Sequence, residues 1–457
     1  MWKNSKMKSR WKVVVIWNTK KIVIKKVLLL LHCGCKVNQY ETNAMSQEFI
    51  EKGYEVVEHH EKADIYVINT CTVTNMSDRK SRQMLRRVKE LNPNSIVIAC
   101  GCYVQVAKDE VAKIEDIDLI LGNNEKKNIV EHLEQYQKDK KRQLEIEDLM
   151  QQREFIEFGD VTYTEKTRAV VKIQDGCDRF CSYCIIPYAR GRVRSRKPEG
   201  IISEITKIAQ EGIKEVVITG IHVASYGKDF KENYGLIDLL EDLNKIEGIE
   251  RIRLSSIEPL ILDEQFINRL SKLEKICHNF HLSLQSGCDE TLKRMNRRYN
   301  TEQFKTVVNL IRNTYKDAIL TADVIVGFPG ETEEEFEKTY KFLEDVKFYK
   351  THVFKYSPRK GTKAAVMENQ IDGNIKEQRS KKLIELSNNF EKEYNESYIG
   401  KTVEVLWEEE KEKIYKGHTQ NYLLAYYKPE KGDMNLENKI TKANCISAES
   451  DHIIVEI

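Results

Sequence analysis

Short apolar runs alternate with longer amphipathic stretches along the first part of the chain. The apolar runs cover residues 27–31, 64–69 and 95–99, and helical periodicity fills the intervals between them. This alternation predicts an α/β domain with a parallel sheet, which we assign to residues 27–130. Residues 1–26 are basic and carry no motif, so we interpret them as an extension of unclear status.

A cysteine follows each of these three predicted strands. The three are Cys35, Cys71 and Cys102. The carboxyl ends of parallel strands lie at one edge of a sheet, where ligands bind, so we predict that the three thiols converge. Cys33 and Cys100 stand two residues before Cys35 and Cys102, and residues two apart on an extended strand point the same way. Either remains an alternative ligand, and buried packing is the other interpretation of both.

The pattern changes twice further along the chain. Residues 131–160 are rich in Glu, Lys and Gln, which predicts a solvated helical connector. Over residues 161–395, six strand-like runs recur between helical stretches and predict a (β/α)6 partial barrel. The six runs are 170–174, 215–219, 251–255, 280–285, 322–326 and 352–356. Residues 396–457 show short strands with Gly and Asn turns, which predict a small β-barrel.

Composition narrows the class of protein. A chain of 457 residues exceeds the size of a single core, and 40% hydrophobic with 32% charged residues is typical of soluble globular proteins. A formal net charge of +2 means that nucleic acid would be bound by local basic patches. Eleven cysteines spread over a long chain favour a reducing compartment. No apolar run is long enough for a signal or a membrane span, so we expect a cytoplasmic protein without membrane association.

A second group of cysteines follows the first predicted barrel strand. Cys177, Cys181 and Cys184 form a C-x3-C-x2-C loop. Three thiolates on one loop leave the fourth iron of a 4Fe-4S cluster open, and S-adenosylmethionine (SAM) can chelate that iron. Reductive cleavage of SAM would then yield a 5′-deoxyadenosyl radical. A zinc site is the alternative, but it usually needs four ligands, and the loop offers no fourth Cys or His.

Over nearly its whole length the chain resembles the radical-SAM methylthiotransferase family. The shared motifs are GCKVNQYET from Gly34, NTCTVT from Asn69, GCYVQ from Gly101, CIIPYARGRVRSR from Cys184, SSIEP from Ser255, HLSLQSG from His281 and ADVIVGFPGET from Ala322. The resemblance implies an auxiliary 4Fe-4S cluster on Cys35, Cys71 and Cys102, with these three residues also catalytic. It implies that the C-terminal barrel is the RNA-binding domain called TRAM.

The resemblance also locates the cofactor pocket, because cofactors bind at the carboxyl ends of barrel strands. The implied SAM contacts are Tyr183, Thr219, Gly220, Ser283, Gln285, Ile325, Gly327 and Tyr356. The expected mechanism uses SAM twice. One SAM methylates sulfur carried by the auxiliary cluster, and a second generates the radical that activates carbon 2 of an adenine.

Two stretches, CIIPYARGRVR from Cys184 and GIHVASYG from Gly220, resemble one branch of the family most closely. That branch modifies N6-threonylcarbamoyladenosine at tRNA position 37, which implies a tRNA anticodon stem-loop as partner. A reducing system such as flavodoxin or ferredoxin and a sulfur donor are implied as well. The alternatives are the isopentenyladenosine branch, the branch that modifies an aspartate of a ribosomal protein, and a zinc-stabilised RNA-binding module without catalysis.

Basic residues supply the expected RNA contacts. Arg190, Arg192, Arg194 and Arg196 alternate after the cysteine loop, so all four would share one face of an extended segment. Arginine suits phosphate through its bidentate fork, and we predict that this row binds RNA. Arg79, Arg82, Arg86 and Arg87 form a second, weaker candidate group. The aromatic stretch 417–427 is interpreted as a base-stacking surface, with strand packing as the alternative.

Overall fold

The computed structural model describes residues 12–14, 28–32, 35–58, 63–162, 167–429 and 435–457. They fall into two compact units. The first unit comprises the described part of residues 1–163 together with 176–178 and 185–192. The second comprises the described part of 164–175, 179–184 and 193–457. No helix among the described residues combines the length and apolar character that crossing a membrane requires.

The first unit is built on a sheet whose described strands run in the order β3-β1-β2-β4-β5-β6-β7. These strands are β1 (Lys12–Val14), β2 (Leu28–His32), β3 (Val57–Glu58), β4 (Ile65–Thr70), β5 (Ile96–Gly101), β6 (Leu119–Leu121) and β7 (Gln143–Glu145). From β2 to β7 neighbours pair in parallel, whereas β1 pairs antiparallel with β2 and β3. The predicted parallel sheet is confirmed. The backbone of β1 lies within the segment interpreted as an extension.

Helices cover this sheet. They are α1 (Lys36–Glu51), α2 (Asn75–Leu91), α3 (Cys102–Val106), α4 (Lys108–Val111), α5 (Ile129–Asp139) and α6 (Ile186–Arg190). The α2 helix shows why such segments become helical: Ser81, Leu85 and Val88 recur at spacings of three and four and are buried. Burial of one Leu side chain such as Leu85 contributes about 1.5–3 kcal/mol. The Thr74 hydroxyl caps the helix by accepting from the Ser77 amide at 3.1 Å.

The predicted helical connector over residues 131–160 is wrong beyond Asp139. Lys140 adopts the left-handed conformation and ends α5, and β7 then joins the sheet beside β6. Edge pairing explains the difference, because β6 would otherwise leave a row of unpaired backbone groups. The pairing uses backbone hydrogen bonds, so a polar strand can occupy this edge as well as an apolar one.

The second unit contains all six predicted barrel strands, joined by one short additional strand. The strands are β8 (Arg168–Asp175), β9 (Arg194–Ser195), β10 (Glu215–Gly220), β11 (Arg251–Leu254), β12 (Asn279–Gln285), β13 (Ile319–Val326) and β14 (Lys350–Lys355). They form sheets of order β11-β10-β8-β9 and β12-β13-β14, in which every neighbour pair except β8 with β9 is parallel. Single bridges, Ile252 to Ile276 and Ile257 to Leu282, link the two sheets. The prediction of a (β/α)6 partial barrel is confirmed.

Helices alternate with these strands and bury one face each against them. They are α7 (Pro198–Gln210), α8 (Leu236–Asn244), α9 (Glu264–Leu270), α10 (Asp289–Arg294), α11 (Thr301–Thr314), α12 (Glu333–Val346) and α13 (Gly373–Glu396). One continuous hydrophobic core runs through strands and helices, from Val171 and Ile218 to Phe304 and Leu383. The strand ends are thereby held on a rigid scaffold.

The C-terminal strands close into a small barrel, as predicted. Its strands are β15 (Thr402–Lys411), β16 (Ile414–Thr419), β17 (Leu424–Tyr427), β18 (Ile440–Ala448) and β19 (Ile453–Glu456), in the order β15-β16-β17-β19-β18. The fully buried Trp407 fills its interior and donates from Nε1 to the Thr441 hydroxyl at 2.8 Å. Closure removes the exposed edges that short strands would otherwise present.

The loop between β16 and β17 packs against the beginnings of the barrel strands. The Arg253 guanidinium lies 4.6 Å from the centre of the Tyr422 ring, and the Arg168 guanidinium lies 5.3 Å from it. Arg253 also donates to the Gln420 carbonyl at 3.1 Å. Part of the stretch 417–427 therefore serves packing, since the Tyr422 ring is occupied by two arginines and is not an open base-stacking surface.

Candidate cluster and cofactor sites

The three cysteines of the first unit stand where a strand gives way to a helix or loop. Cys35 is the N-cap residue of α1, Cys71 follows β4, and Cys102 is the first residue of α3. Burial, together with the neighbouring thiols of Cys102 and Cys35, raises the pKa of Cys71 to about 12. The structure thus brings the three thiols close enough to interact, and their ionised forms would require a positive centre between them.

Gly101 makes this geometry possible between β5 and α3. Its φ is +99°, and a Cβ at this position would lie 2.5 Å from the Thr70 carbonyl oxygen. Any side chain would therefore push β5 away from β4 and displace the adjacent Cys102.

A buried guanidinium supports the Cys102 thiol. Arg190 Nε donates to Cys102 Sγ at 3.1 Å, and Arg190 Nη2 donates to Asn38 Oδ1 at 2.7 Å. The same guanidinium pairs with both oxygens of Glu41, which also accepts from Lys126 Nζ at 2.5 Å. Arg190 and Lys126 are fully buried and Glu41 is 1% exposed, so the network is sealed from water.

The charge balance of this network fits an anionic ligand set. Arg190 and Lys126 are both buried, and both pair with the Glu41 carboxylate. A buried cation is stabilised by a neighbouring anion, and Arg190 contacts the Cys102 thiol. Ionised thiols at Cys102 and its partners supply that anion, and three thiolates are the donor set of a 4Fe-4S cluster with one open iron. The residues present therefore fit the implied auxiliary cluster.

Cys33 and Cys100 are the two alternative ligands predicted from the sequence. Cys33 lies outside the described residues. Cys100 is fully buried in the hydrophobic cluster that contains Met45 and Phe49, and burial raises the pKa of its thiol to about 12. Its apolar neighbours favour the packing interpretation, while the charges of Lys126, Glu41 and Arg190 also act on this thiol.

The C-x3-C-x2-C loop is held by backbone contacts. The Cys177 amide donates to the Gly191 carbonyl at 3.0 Å within the first unit. In the second unit the Ser182 amide donates to the Met295 carbonyl at 3.0 Å, and the Ser182 carbonyl accepts from the Ala364 amide at 2.8 Å. The Cys184 amide donates to the Cys181 carbonyl at 3.0 Å. Contacts from distant segments thus fix the conformation of Cys181 and Cys184.

Sequence analysis missed Arg297 and Glu258. Arg297 Nη1 donates to Cys181 Sγ at 3.3 Å, so a buried cation supports this thiol as well. Burial alone would raise the pKa of Glu258, but the neighbouring His222 and the charges of Arg179 and Arg297 lower that pKa to about 2. The carboxylate therefore stays ionised and holds the two arginines beside the loop. The motif SSIEP contains Glu258 and was the available signal.

Three of the residues implied to contact SAM gather in one aromatic cluster. The Phe328 ring lies 6.4 Å from the Tyr183 ring and 5.3 Å from the Tyr356 ring, centre to centre, and Ile325 packs against the same group. The Tyr356 hydroxyl is buried and has no hydrogen-bond partner in the described part of the chain. A buried hydroxyl without a partner is costly unless a ligand completes it, so this position fits a cofactor with polar groups.

The other implied contacts lie at the carboxyl ends of their strands. Thr219 and Gly220 end β10, Ser283 and Gln285 end β12, and Gly327 follows β13. Gln285 has φ of +70°, which is rare for a residue with a side chain, and the Gly327 amide donates to Glu331 at 2.6 Å. A Cβ on Gly327 would lie 2.2 Å from Lys376 Cγ. The structure places these residues at the carboxyl ends of their strands.

The prediction that four arginines bind RNA in one row is wrong for Arg190, Arg194 and Arg196. Arg190 ends α6, Gly191 turns the chain, and only Arg194 and Ser195 are extended. Arg190, Arg194 and Arg196 are buried, and each pairs with a carboxylate, from Glu41, Asp175 and Glu204 in that order. Burial in ion pairs removes them from phosphate. The Arg192 side chain is 42% exposed and lies 3.3 Å from Asp178.

Comparison with family profiles matches two segments of the chain. Residues 171–343 match the Radical SAM superfamily, and residues 28–122 match a family described as uncharacterized protein family UPF0004. Among solved structures, a radical S-adenosylmethionine methyltransferase, TsrM, from Kitasatospora setae with cobalamin and a [4Fe-4S] cluster bound has a TM-score of 0.53. The identity is 15%, and 74% of each chain is covered, so this likeness concerns the fold alone.

Curated relatives are similar over almost the whole chain. The threonylcarbamoyladenosine tRNA methylthiotransferase MtaB of Bacillus subtilis (strain 168) is 42% identical over 91% of this chain and 92% of its own length. The enzyme of the same name from Aquifex aeolicus is 42% identical over 85% and 94%. The tRNA-2-methylthio-N6-dimethylallyladenosine synthase of Clostridium botulinum (strain Hall) is 35% identical over 96% and 99%.

Proposed function

This chain belongs to the radical-SAM methylthiotransferase family, and we propose that it converts N6-threonylcarbamoyladenosine at tRNA position 37 to its 2-methylthio derivative. It is therefore a sulfur-group transferase in class. The observation that carries the proposal is a shared arrangement at both cysteine sites, where a buried guanidinium donates to a thiol. Arg190 donates to Cys102, and Arg297 donates to Cys181. Cationic donors of this kind stabilise thiolate and tune cluster ligands.

Six cysteines would hold the two clusters of this reaction. Cys177, Cys181 and Cys184 would hold one 4Fe-4S cluster, and Cys35, Cys71 and Cys102 the auxiliary one. Bound clusters and SAM would supply the radical and the sulfur that the reaction needs. An external reductant of the flavodoxin or ferredoxin class and a sulfur donor complete the proposal.

The remaining residues of the sites position these groups. Arg297 and Glu258 hold the loop around Cys181 in a fixed charge environment. The rings of Tyr183 and Tyr356 offer apolar surface, and the Tyr356 hydroxyl offers one hydrogen bond, which suits the adenosine of SAM. Thr219, Gly220, Ser283, Gln285, Ile325 and Gly327 are proposed as further contacts to that cofactor. Arg192 is kept as a contact to RNA because it is the exposed member of the arginine row.

The choice of substrate branch follows the relatives. The relatives named for threonylcarbamoyladenosine are 42% identical, and the relative named for dimethylallyladenosine is 35% identical. Nucleoside analysis of tRNA separates the two branches, because expression of this chain in a strain that lacks both modifications should restore only one of them. Appearance of the 2-methylthio group on isopentenyladenosine alone would assign the chain to the other branch.

The cluster assignment is tested by metal content. Wild-type protein reconstituted without oxygen should hold about eight irons, as two 4Fe-4S sites demand. Two triple alanine variants, one at Cys177, Cys181 and Cys184 and one at Cys35, Cys71 and Cys102, should each hold about four. A Cys277→Ala, Cys445→Ala double variant is the matched control and should keep the full content, because both thiols are buried packing residues. A colourless, zinc-loaded wild type would refute the assignment.

A further inference from the structure

The α2 helix presents two differently used sets of cations. On its inner side, Arg82 donates to the Tyr103 hydroxyl at 3.1 Å, and Lys89 pairs with Asp118 at 3.3 Å. The outer side carries Arg79, Lys80, Arg86 and Arg87, which are all exposed. These four make no hydrogen bond or ion pair with any described residue.

The four outer cations share one face of the helix. Positions 79, 80, 83, 86 and 87 recur at helical spacing, and the uncharged Gln83 stands in the middle. The face is opposite to the buried Ser81, Leu85 and Val88, so the packing of α2 on its sheet holds it in place. We call Arg79, Lys80, Arg86 and Arg87 the α2 basic face.

Lysines on two other exposed helices of the chain lie beside carboxylates. On α12 and α13, Lys338 lies 3.4 Å from Glu334, Lys381 lies 3.9 Å from Glu377, and Lys392 lies 3.8 Å from Glu396. In each pair the two residues are four positions apart. Oppositely charged side chains commonly pair at this spacing on exposed helix faces. On α2, Glu90 stands four residues after Arg86, but neither Arg86 nor the other three cations of the α2 basic face forms an ion pair with a described carboxylate, and like charges lie adjacent at 79–80 and 86–87. This arrangement favours an external anion.

The position of the α2 basic face relates it to the auxiliary site. The helix starts at Asn75, four residues after Cys71. At 1.5 Å per residue, Arg79 lies about 6 Å and Arg87 about 18 Å along the axis from that start. The interval of about 12 Å equals the rise along a duplex axis of about three to four nucleotides of one strand, at about 3.4 Å each. Glu90, Glu115 and Asp116 lie near the far end and limit the basic face there.

Two exposed apolar side chains stand between the basic face and Cys71. Val73 is 53% exposed and Met76 is 57% exposed. Exposed apolar side chains that follow a cluster ligand closely in the chain are suited to contact with an unstacked base. An unpaired nucleotide next to a phosphate strand presents that combination of apolar and anionic groups.

We propose that α2 is an RNA-binding surface, on which Arg79, Lys80, Arg86 and Arg87 contact consecutive phosphates of the anticodon arm and Val73 and Met76 contact an unpaired base. The inference rests on the proposed tRNA substrate. It assigns phosphate contacts to this helix instead of to Arg190, Arg194 and Arg196, which are buried.

The test compares two quadruple variants of the reconstituted holoenzyme. The first carries Arg79→Gln, Lys80→Gln, Arg86→Gln and Arg87→Gln. The control carries Lys338→Gln, Lys381→Gln, Lys382→Gln and Lys392→Gln, which remove the same number of positive charges from paired lysines. The probe is a fluorescent anticodon stem-loop RNA that contains N6-threonylcarbamoyladenosine, and binding is measured by anisotropy across a range of salt concentrations.

The α2 variant should bind the RNA at least about tenfold more weakly than wild type. In a plot of the logarithm of affinity against the logarithm of salt concentration, its slope should be smaller in magnitude by about three. The control should match wild type in both quantities. A third variant, Val73→Ser with Met76→Ser, should weaken binding and leave the salt slope unchanged. Iron content and formation of 5′-deoxyadenosine without RNA should be unchanged in all variants, which shows that both clusters and the fold around them are retained.

Two results would overturn the proposal. One is wild-type affinity and slope in the α2 variant, and the other is an equal loss in both quadruple variants. Failure of the proposed function is recognised separately, because wild-type protein would then form no 2-methylthio nucleoside in cells. The α2 surface is judged by RNA binding alone.

Discussion

Removal of the Glu41 carboxylate should destabilise the first unit more than removal of either of its cationic partners. The Glu41 carboxylate is bonded to both Arg190 and Lys126, and all three side chains are buried. Glu41→Gln removes the negative charge that these two buried cations share. Loss of one partner of a buried pair typically costs about 3–5 kcal/mol.

Lys126→Met is the informative comparison. It removes one cation and leaves the two-pronged pair of Arg190 and Glu41 intact. Its cost should therefore be well below that of Glu41→Gln, and the double variant should be less destabilised than the sum of the single variants, by at least about 1 kcal/mol. The double variant recovers stability because one of the two cations that shared this carboxylate is gone.

The assay is thermal unfolding of reconstituted protein and apoprotein. A change of about 3–5 kcal/mol corresponds to a fall of about 6–20 °C in melting temperature for a unit of this size. Glu334→Gln is the control, because that carboxylate is 81% exposed and surface pairs contribute about 0–1 kcal/mol. Lys126→Met should lower the melting temperature more in reconstituted protein than in apoprotein, since anionic thiolates then need the cation. A Glu41→Gln variant that melts within about 2 °C of wild type would refute the charge balance described for this site.

Three further predictions concern other parts of the chain. Arg297→Gln removes the cation beside Cys181 and should make the midpoint potential of the SAM-binding cluster more negative. The potential is measured in a redox titration followed by electron paramagnetic resonance, and Arg297→Lys should give a value between those of wild type and Arg297→Gln. Burial raises the pKa of Glu48 to about 7, so its favourable contribution is present below about pH 4.5 and lost as the pH rises through 7. Because this group is partly exposed, Glu48→Gln should raise stability by only about 1 kcal/mol at pH 8.5, with little change at pH 4.5, measured as melting temperatures. Tyr422→Ala removes the ring on Arg253 and should increase hydrogen exchange in β16 and β17, while the strands of the radical-SAM core keep their protection.

The strands and the cysteine edge could be predicted because their signals are local. An apolar run that is followed by Cys or Gly specifies both a strand and its end, as at Cys35, Cys71 and Cys102 and at the barrel strands that lead to Gly220 and Gly327. The strand at Gln143–Glu145 carries no such signal. Its partner is the free edge of β6, which exists only once the sheet has formed.

The arginine row shows why polar residues are harder to interpret. Alternation in the sequence predicts a shared face only for an extended segment, and the structure has a helix end and a turn there. The carboxylate that pairs with the buried Arg190 belongs to Glu41, which lies 149 positions earlier in the chain. No local pattern contains that information, because the burial of a charge depends on a partner supplied by the fold.

The distribution of cations nevertheless follows from the chemistry of the sites. An anionic cluster buried in protein requires positive charge that water cannot displace, and Arg190 and Arg297 provide it at Cys102 and Cys181. Phosphate of RNA, in contrast, has to be reached from solvent, which requires cations that are exposed and uncompensated, as on α2. A net charge of +2 conceals this division, because buried cations and surface cations count equally in the sum. Burial, more than the number of basic residues, therefore decides which arginines of this chain serve the clusters and which are open to RNA.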